Sequence, residues 1–108
     1  MSEARLAAGI EASALLARAQ GQGGFGTILR RGDAEQGSLM LVIAERGVTR
    51  FVVQRLLQRD GRYEWEPRES ADGESLDQQL AKARDRDPDL WLIELDVPSP
   101  ERFIAEMT

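Results

Sequence analysis

The chain contains no cysteine and no histidine. Without cysteine there is no disulfide, no thiolate nucleophile and no thiolate metal site. Without histidine the chain lacks the side chain that most often acts as general base near neutral pH, and the commonest metal ligand. Serine triads, zinc hydrolysis and histidine phosphotransfer therefore cannot be built from this chain alone. Chemistry based on carboxylates, lysine or tyrosine stays open, as does a magnesium site made of carboxylates. No cofactor is expected. Long apolar runs are also missing. Ala7-Ala8-Gly9-Ile10 is cut by Glu11 before it could form a signal-peptide core, and no stretch approaches the roughly 20 residues of a membrane helix. A cytoplasmic location without membrane contact is the expectation. Of the 14 basic residues only Lys82 is lysine. The arginine bias is what a GC-rich genome produces, and it also suits planar recognition of carboxylates and phosphates. A net charge of −5 argues against nucleic-acid binding by bulk charge.

What is present describes an ordinary folded unit. With 108 residues and 42% hydrophobic content, the chain is expected to form one domain over residues 1–108 with a core that needs no staples. Ala12, Leu15, Leu16 and Ala19 recur at helical spacing, which predicts a helix from about Ala12 to Gln20, with Gly21 at its C-cap. Residues 6–11 are compatible with a lead-in strand or with an earlier turn of that helix. Phe25 to Arg31 reads as a strand, followed by a turn from Gly32-Asp33 to Gly37. Ser38 to Arg46 is the strongest strand, and both of its faces are apolar. Gly47 and Asp60-Gly61 predict two hairpin turns, with strands over Val48–Leu57 and Arg62–Glu66, the latter ended by Pro67. Ser75 and Gln78 have capping-box spacing ahead of a helix that runs to Arg86 and stops at Pro88. Leu90 to Val97 is a last strand, and Ser99-Pro100 opens a short terminal helix. The predicted class is α+β: a mostly antiparallel sheet of four to five strands, two main helices on one face, and a short C-terminal helix.

Two motifs match known sites by letter and fail by context. Gly21-Gln22-Gly23-Gly24-Phe25-Gly26 spells the dinucleotide fingerprint, yet a helix precedes it and a strand follows, so the helix end at the glycines is the carbonyl end, which repels phosphate. Asp85, Asp87, Asp89 and Asp96 resemble a calcium loop, but Leu90 stands where glycine is required. Arg31-Gly32-Asp33 is read as a plain turn.

Arg50, Arg55, Arg59 and Arg62 gather on the second hairpin with Tyr63 and Trp65. Arginines beside aromatic rings bind anions or stacked bases, whereas pairing with Glu45, Asp60, Glu64 and Glu66 would make the same cluster a mixed-charge sheet face. Arg50, Arg55, Arg62 and Trp65 are the candidate ligand or partner contacts. Trp91 lies on an apolar strand face and is expected in the core.

Ser13-Ala14-Leu15-Leu16-Ala17-Arg18-Ala19, then Phe25 and Ile28-Leu29-Arg30-Arg31-Gly32-Asp33, then Arg84-Asp85-Arg86-Asp87-Pro88-Asp89-Leu90-Trp91-Leu92-Ile93-Glu94 form a combination spread over nearly the whole chain. The chain thereby resembles the bacterial domain-of-unknown-function family numbered 1491, most specifically through Asp-Pro-Asp-Leu-Trp. That resemblance implies a small bacterial protein and carries over no activity, cofactor or catalytic residue.

The residues favour a non-catalytic protein-interaction module, with self-association or an unknown protein partner. Two helices are too few to cover both apolar faces of a five-stranded sheet, so a second copy could bury the remainder. The alternatives are a domain that binds a small anionic metabolite or nucleotide through the arginine-rich hairpin, and an enzyme using Glu64, Glu66 or Glu94 as a carboxylate base.

Overall fold

Small apolar residues at i, i+4, i+7 and i+11 give the first helix a flat face that can lie close to a sheet. In the computed structural model, which describes residues 6–69 and 75–107, Ala8, Ala12, Leu15 and Ala19 are the buried side of α1 (Ala8–Gly21). The helix begins a turn earlier than Ala12, so residues 8–11 belong to it. Its first amides bond outside the helix. Ala8 N–H donates to the Glu35 carbonyl and Gly9 N–H to the Ala34 carbonyl at 2.9 Å, which satisfies orphan donors without a side-chain cap. The helix closes at Gly23 rather than at Gly21. Gly23 has φ +85, its N–H reaches the Gln20 carbonyl, and Gly24 N–H reaches the Ala19 carbonyl.

Five strands follow the pattern of β-branched and apolar runs between turns: β1 (Phe25–Arg30), β2 (Leu39–Glu45), β3 (Val48–Leu57), β4 (Tyr63–Glu69) and β5 (Trp91–Asp96). Arg46 at φ 51 and Gly47 at φ 81 make the two-residue β2–β3 turn, the left-handed pair that matches strand twist. β4 runs on through Pro67 instead of ending there. It is an edge strand, where a missing N–H can face away from the ladder. Helix α2 (Leu76–Arg86) starts on the expected capping box. Ser75 Oγ accepts from Gln78 N–H at 3.2 Å and Gln78 Oε1 accepts from Ser75 N–H at 3.3 Å. Pro100 occupies the first turn of α3 (Pro100–Ala105).

The strand order is β1-β5-β2-β3-β4. β5 pairs antiparallel with β1 and parallel with β2, so the sheet is mixed, not mostly antiparallel as expected. The cause is the α2 crossover: a chain that leaves the sheet at β4 and returns through a helix can enter beside β2 in parallel.

Strand alternation divides the core in two. Leu39, Leu41, Ile43, Val53, Trp91, Ile93 and Leu95 face α1 and α3. Met40, Val52, Leu90 and Leu92 face the other way and pack against Leu76, Leu80 and Ala83 of α2. The two main helices therefore do not share a face. The apolar side of α2 needed cover of its own, and the second apolar face of β2 supplied it. Leu39 to Ala44 are all buried within one chain, as are Leu90 and Leu92. The expectation that two helices are too few to cover those residues is corrected accordingly.

Candidate functional site

The second hairpin turns Arg50, Arg55 and Trp65 toward the face that carries α1 and α3. Arg50 is the extra residue where β2 and β3 slip register. Its guanidinium donates to Glu45 at 2.7 Å and to Glu101 of α3 at 2.6 Å. That double pairing pins α3 to the sheet. Arg55 reaches across the hairpin's helix-facing side to Glu11 on α1, forming a two-pronged ion pair. The same guanidinium lies 4.2 Å from the ring centre of Trp65, its direct cross-strand neighbour. Trp65 is half-buried under Arg55. Arg62 is exposed beside the Asp60-Gly61 turn, where its N–H donates to the Asp60 carboxylate. Arg55 and Trp65 are thus brought together, while Arg50 and Arg62 stand apart from them. The hairpin acids expected to pair the cluster account for Arg50 through Glu45; Arg55 instead finds its carboxylate on α1.

The opposite side of the hairpin forms one wall of a cleft of about 660 Å³. Val52, Gln54 and Leu56 of β3 with Glu66 and Arg68 of β4 meet Gln79, Lys82 and Arg86 of α2 across it. Arg55, Arg68, Lys82 and Arg86 face a lining that also carries Glu66, Glu69 and Asp87, and Arg55 is already paired with Glu11, so little net charge is left. Sequence reasoning missed this cleft. The signal was available in the even-numbered positions of the hairpin, but only the α2 crossover shows that they acquire an opposing wall. Glu64 and Glu66 are neighbours on one side of β4, whereas Glu94 lies on β5, beyond β2 and β3. The three carboxylates do not converge. Among the described residues no group of acids is arranged to hold a metal ion, and no helix is long and apolar enough to cross a membrane.

Among the described residues, two carboxyl groups are held below their ordinary range. The N–H groups of Gln36 and then Glu35 stabilise the charged form of Asp33. Arg102, with help from Arg18 and Gln22, does the same for Glu106. Both shifts come from local structural bonds at exposed positions, so neither marks an acid or base poised for catalysis. The glycine-rich segment leads from the carbonyl end of α1 directly into β1. A Cβ on Gly24 would collide with the Asp96 carbonyl, so tight strand approach accounts for that glycine.

The two sheet edges differ in chemistry. β4 carries Glu64, Glu66, Arg68 and Glu69 around Pro67, features that discourage further strand pairing. β1 carries no charge from Phe25 to Leu29, and Phe25 (57%) and Leu29 (46%) are exposed there. The signal for this edge was the lack of charge before Arg30, but nothing in the pattern said that β1 would be outermost.

These features define a class: an α+β protein built on a five-stranded mixed sheet with helices on both faces, an open β1 edge, a shallow cleft, and no convergent catalytic groups among the described residues. The family model for a protein of unknown function, DUF1491, matches residues 6–105, and the chain belongs to that family. A crystal structure of a DUF1491 family protein from Caulobacter crescentus is similar, with 27% identity and a TM-score of 0.76 over 92% of this chain and 94% of that one. An NMR structure of a DUF1491 family protein from the same organism agrees at 27% identity and the same TM-score, covering 94% of each chain. The solution structure of protein Atu0922 from A. tumefaciens shares the fold at 22% identity, with a TM-score of 0.76 over 94% of this chain and 93% of that one. Among functionally curated proteins there is no match.

Proposed function

We propose that this chain is a non-catalytic protein-interaction module that takes up a partner strand along β1. The observation that carries the reading is the contrast between the edges: β4 is shielded by Pro67 and its charges, whereas β1 leaves backbone donors and acceptors beside exposed Phe25 and Leu29. A photo-crosslinking residue at Leu29, introduced in the native cell, is expected to give protein adducts that the same residue at exposed Val48 does not give. Absence of adducts at Leu29 sinks the reading.

A second reading places a small anionic metabolite or nucleotide in the α2 cleft, where Arg68, Lys82 and Arg86 line one space. It is the weaker of the two, because Glu66, Glu69 and Asp87 line the same space. A thermal-shift screen against anionic metabolites is expected to raise the Tm of the unchanged protein but not of Arg68→Ala.

A further inference from the structure

We propose that the partner strand is β1 of a second copy of this chain, paired antiparallel about a two-fold axis at Thr27. The inference rests on the strand-addition reading above and adds the identity and register of the partner.

The register follows from the faces of β1. Gly26 and Ile28 pair with Leu95 and Ile93, whose side chains face α1; Phe25 and Thr27 pair with Asp96 and Glu94 on the other face. Directly opposed residues of antiparallel strands share a face. Centring on Thr27 sets Gly26 against Ile28 and keeps the helix-covered faces of the two sheets continuous. A slip of one residue would oppose Thr27 to Ile28 and set one sheet's α1 face in line with the other's α2 face.

The same register matches side chains. It brings exposed Phe25 to exposed Leu29 of the second copy, twice by symmetry, Leu29 being the extra residue where β1 slips register against β5. A slip of two residues in one direction opposes Phe25 to Thr27, and in the other to Arg31. No charge lies between Phe25 and Leu29, so self-pairing opposes no like charges. Arg30, which makes no ion pair among the described residues, follows that bulge beside Leu92 and lies toward the Gly24 end of the second copy. Gly24 borders a hollow lined by Glu45, Asp96 and Arg46, where the carboxylates outnumber the arginine. A strand pair this short buries less than the roughly 1,200–2,000 Å² of stable complexes, so the dimer is weak and forms with rising concentration.

The chain has no cysteine, so a single introduced thiol reports contact unambiguously. Thr27→Cys is expected to oxidise to a covalent dimer about tenfold faster than Val48→Cys or the β4-edge Glu66→Cys. The unchanged protein should show self-association by sedimentation velocity as its concentration rises toward about 1 mM, and Leu29→Lys should weaken it by about tenfold. A unchanged protein that stays monomeric at that concentration, or crosslinking no faster at Thr27→Cys than at Glu66→Cys, overturns the proposal. If Leu29 photo-adducts then contain a different chain, strand addition stands and the second copy falls; if there are no adducts, both fall.

Discussion

Arg55 sits between a carboxylate and a ring, and both belong to its own chain. Glu11 on α1 takes the guanidinium and Trp65 on β4 supports its flat side, so three separate elements meet at one side chain. The pair is mostly shielded from water, which makes each partner costly to remove. Glu11→Ala is expected to lower unfolding free energy by about 1–3 kcal/mol in urea titrations, more than an exposed pair would. Asp33 acts at the same scale through its turn. Its carboxyl is held down by the N–H groups of Gln36 and Glu35, so its contribution is present above the ordinary carboxylate value and is lost as pH falls through the folded value. Asp33→Asn keeps an acceptor for those N–H groups but cannot titrate. Its stability is expected to depend less on pH below about pH 4 than that of the unchanged protein, as read by denaturant midpoints across pH.

At the scale of elements, α2 depends on its ends and on one row of side chains. The capping box was legible because Ser75 and Gln78 are separated by the spacing that closes it, and the row Leu76, Leu80, Ala83 was legible by period. Ser75→Ala is expected to cost about 1 kcal/mol, seen as a Tm lower by about 4–8 °C. Strand ends were less legible. Pro67 reads as a stop because a proline cannot donate to a ladder, and that inference fails where a strand has no neighbour on one side. Helix α1 was placed late for a related reason. Residues 6–11 fit a strand as well as a helical turn until the Ala34 and Glu35 carbonyls are seen to receive the first amides.

For the whole molecule, β5 is the piece on which the rest depends. It lies between β1 and β2, so it joins an edge strand to the central hairpin, and Trp91, Ile93 and Leu95 lie in the main core. Trp91 was legible as a core residue from its apolar strand face; that its indole N–H would also bond the Asp33 carbonyl at 2.8 Å was not. A chain ending at Asp87, lacking β5 and α3, is expected to lose cooperative unfolding and native amide dispersion in NMR spectra, because β1 then has no neighbour and α1 loses Trp91, Ile93 and Leu95 beneath it. The β2–β5 pairing joins residues about fifty positions apart, as Leu39 with Trp91, which local patterns cannot announce.

The sequence by itself determined the local elements and the chemical limits. Periodicity, turn residues and caps act over a few positions, so α2, the hairpins and the short terminal helix could be read directly. The lack of cysteine and histidine removes thiolate and imidazole chemistry whatever the fold. Only the tertiary structure decided which strand lies at an edge, which face each helix covers, and whether an arginine meets a ligand or its own chain. Those outcomes depend on contacts between residues far apart in the chain, where burial and pairing of whole surfaces outweigh local preference. Arg55 was turned inward to Glu11 by that process, while Phe25 and Leu29 were left outside by it.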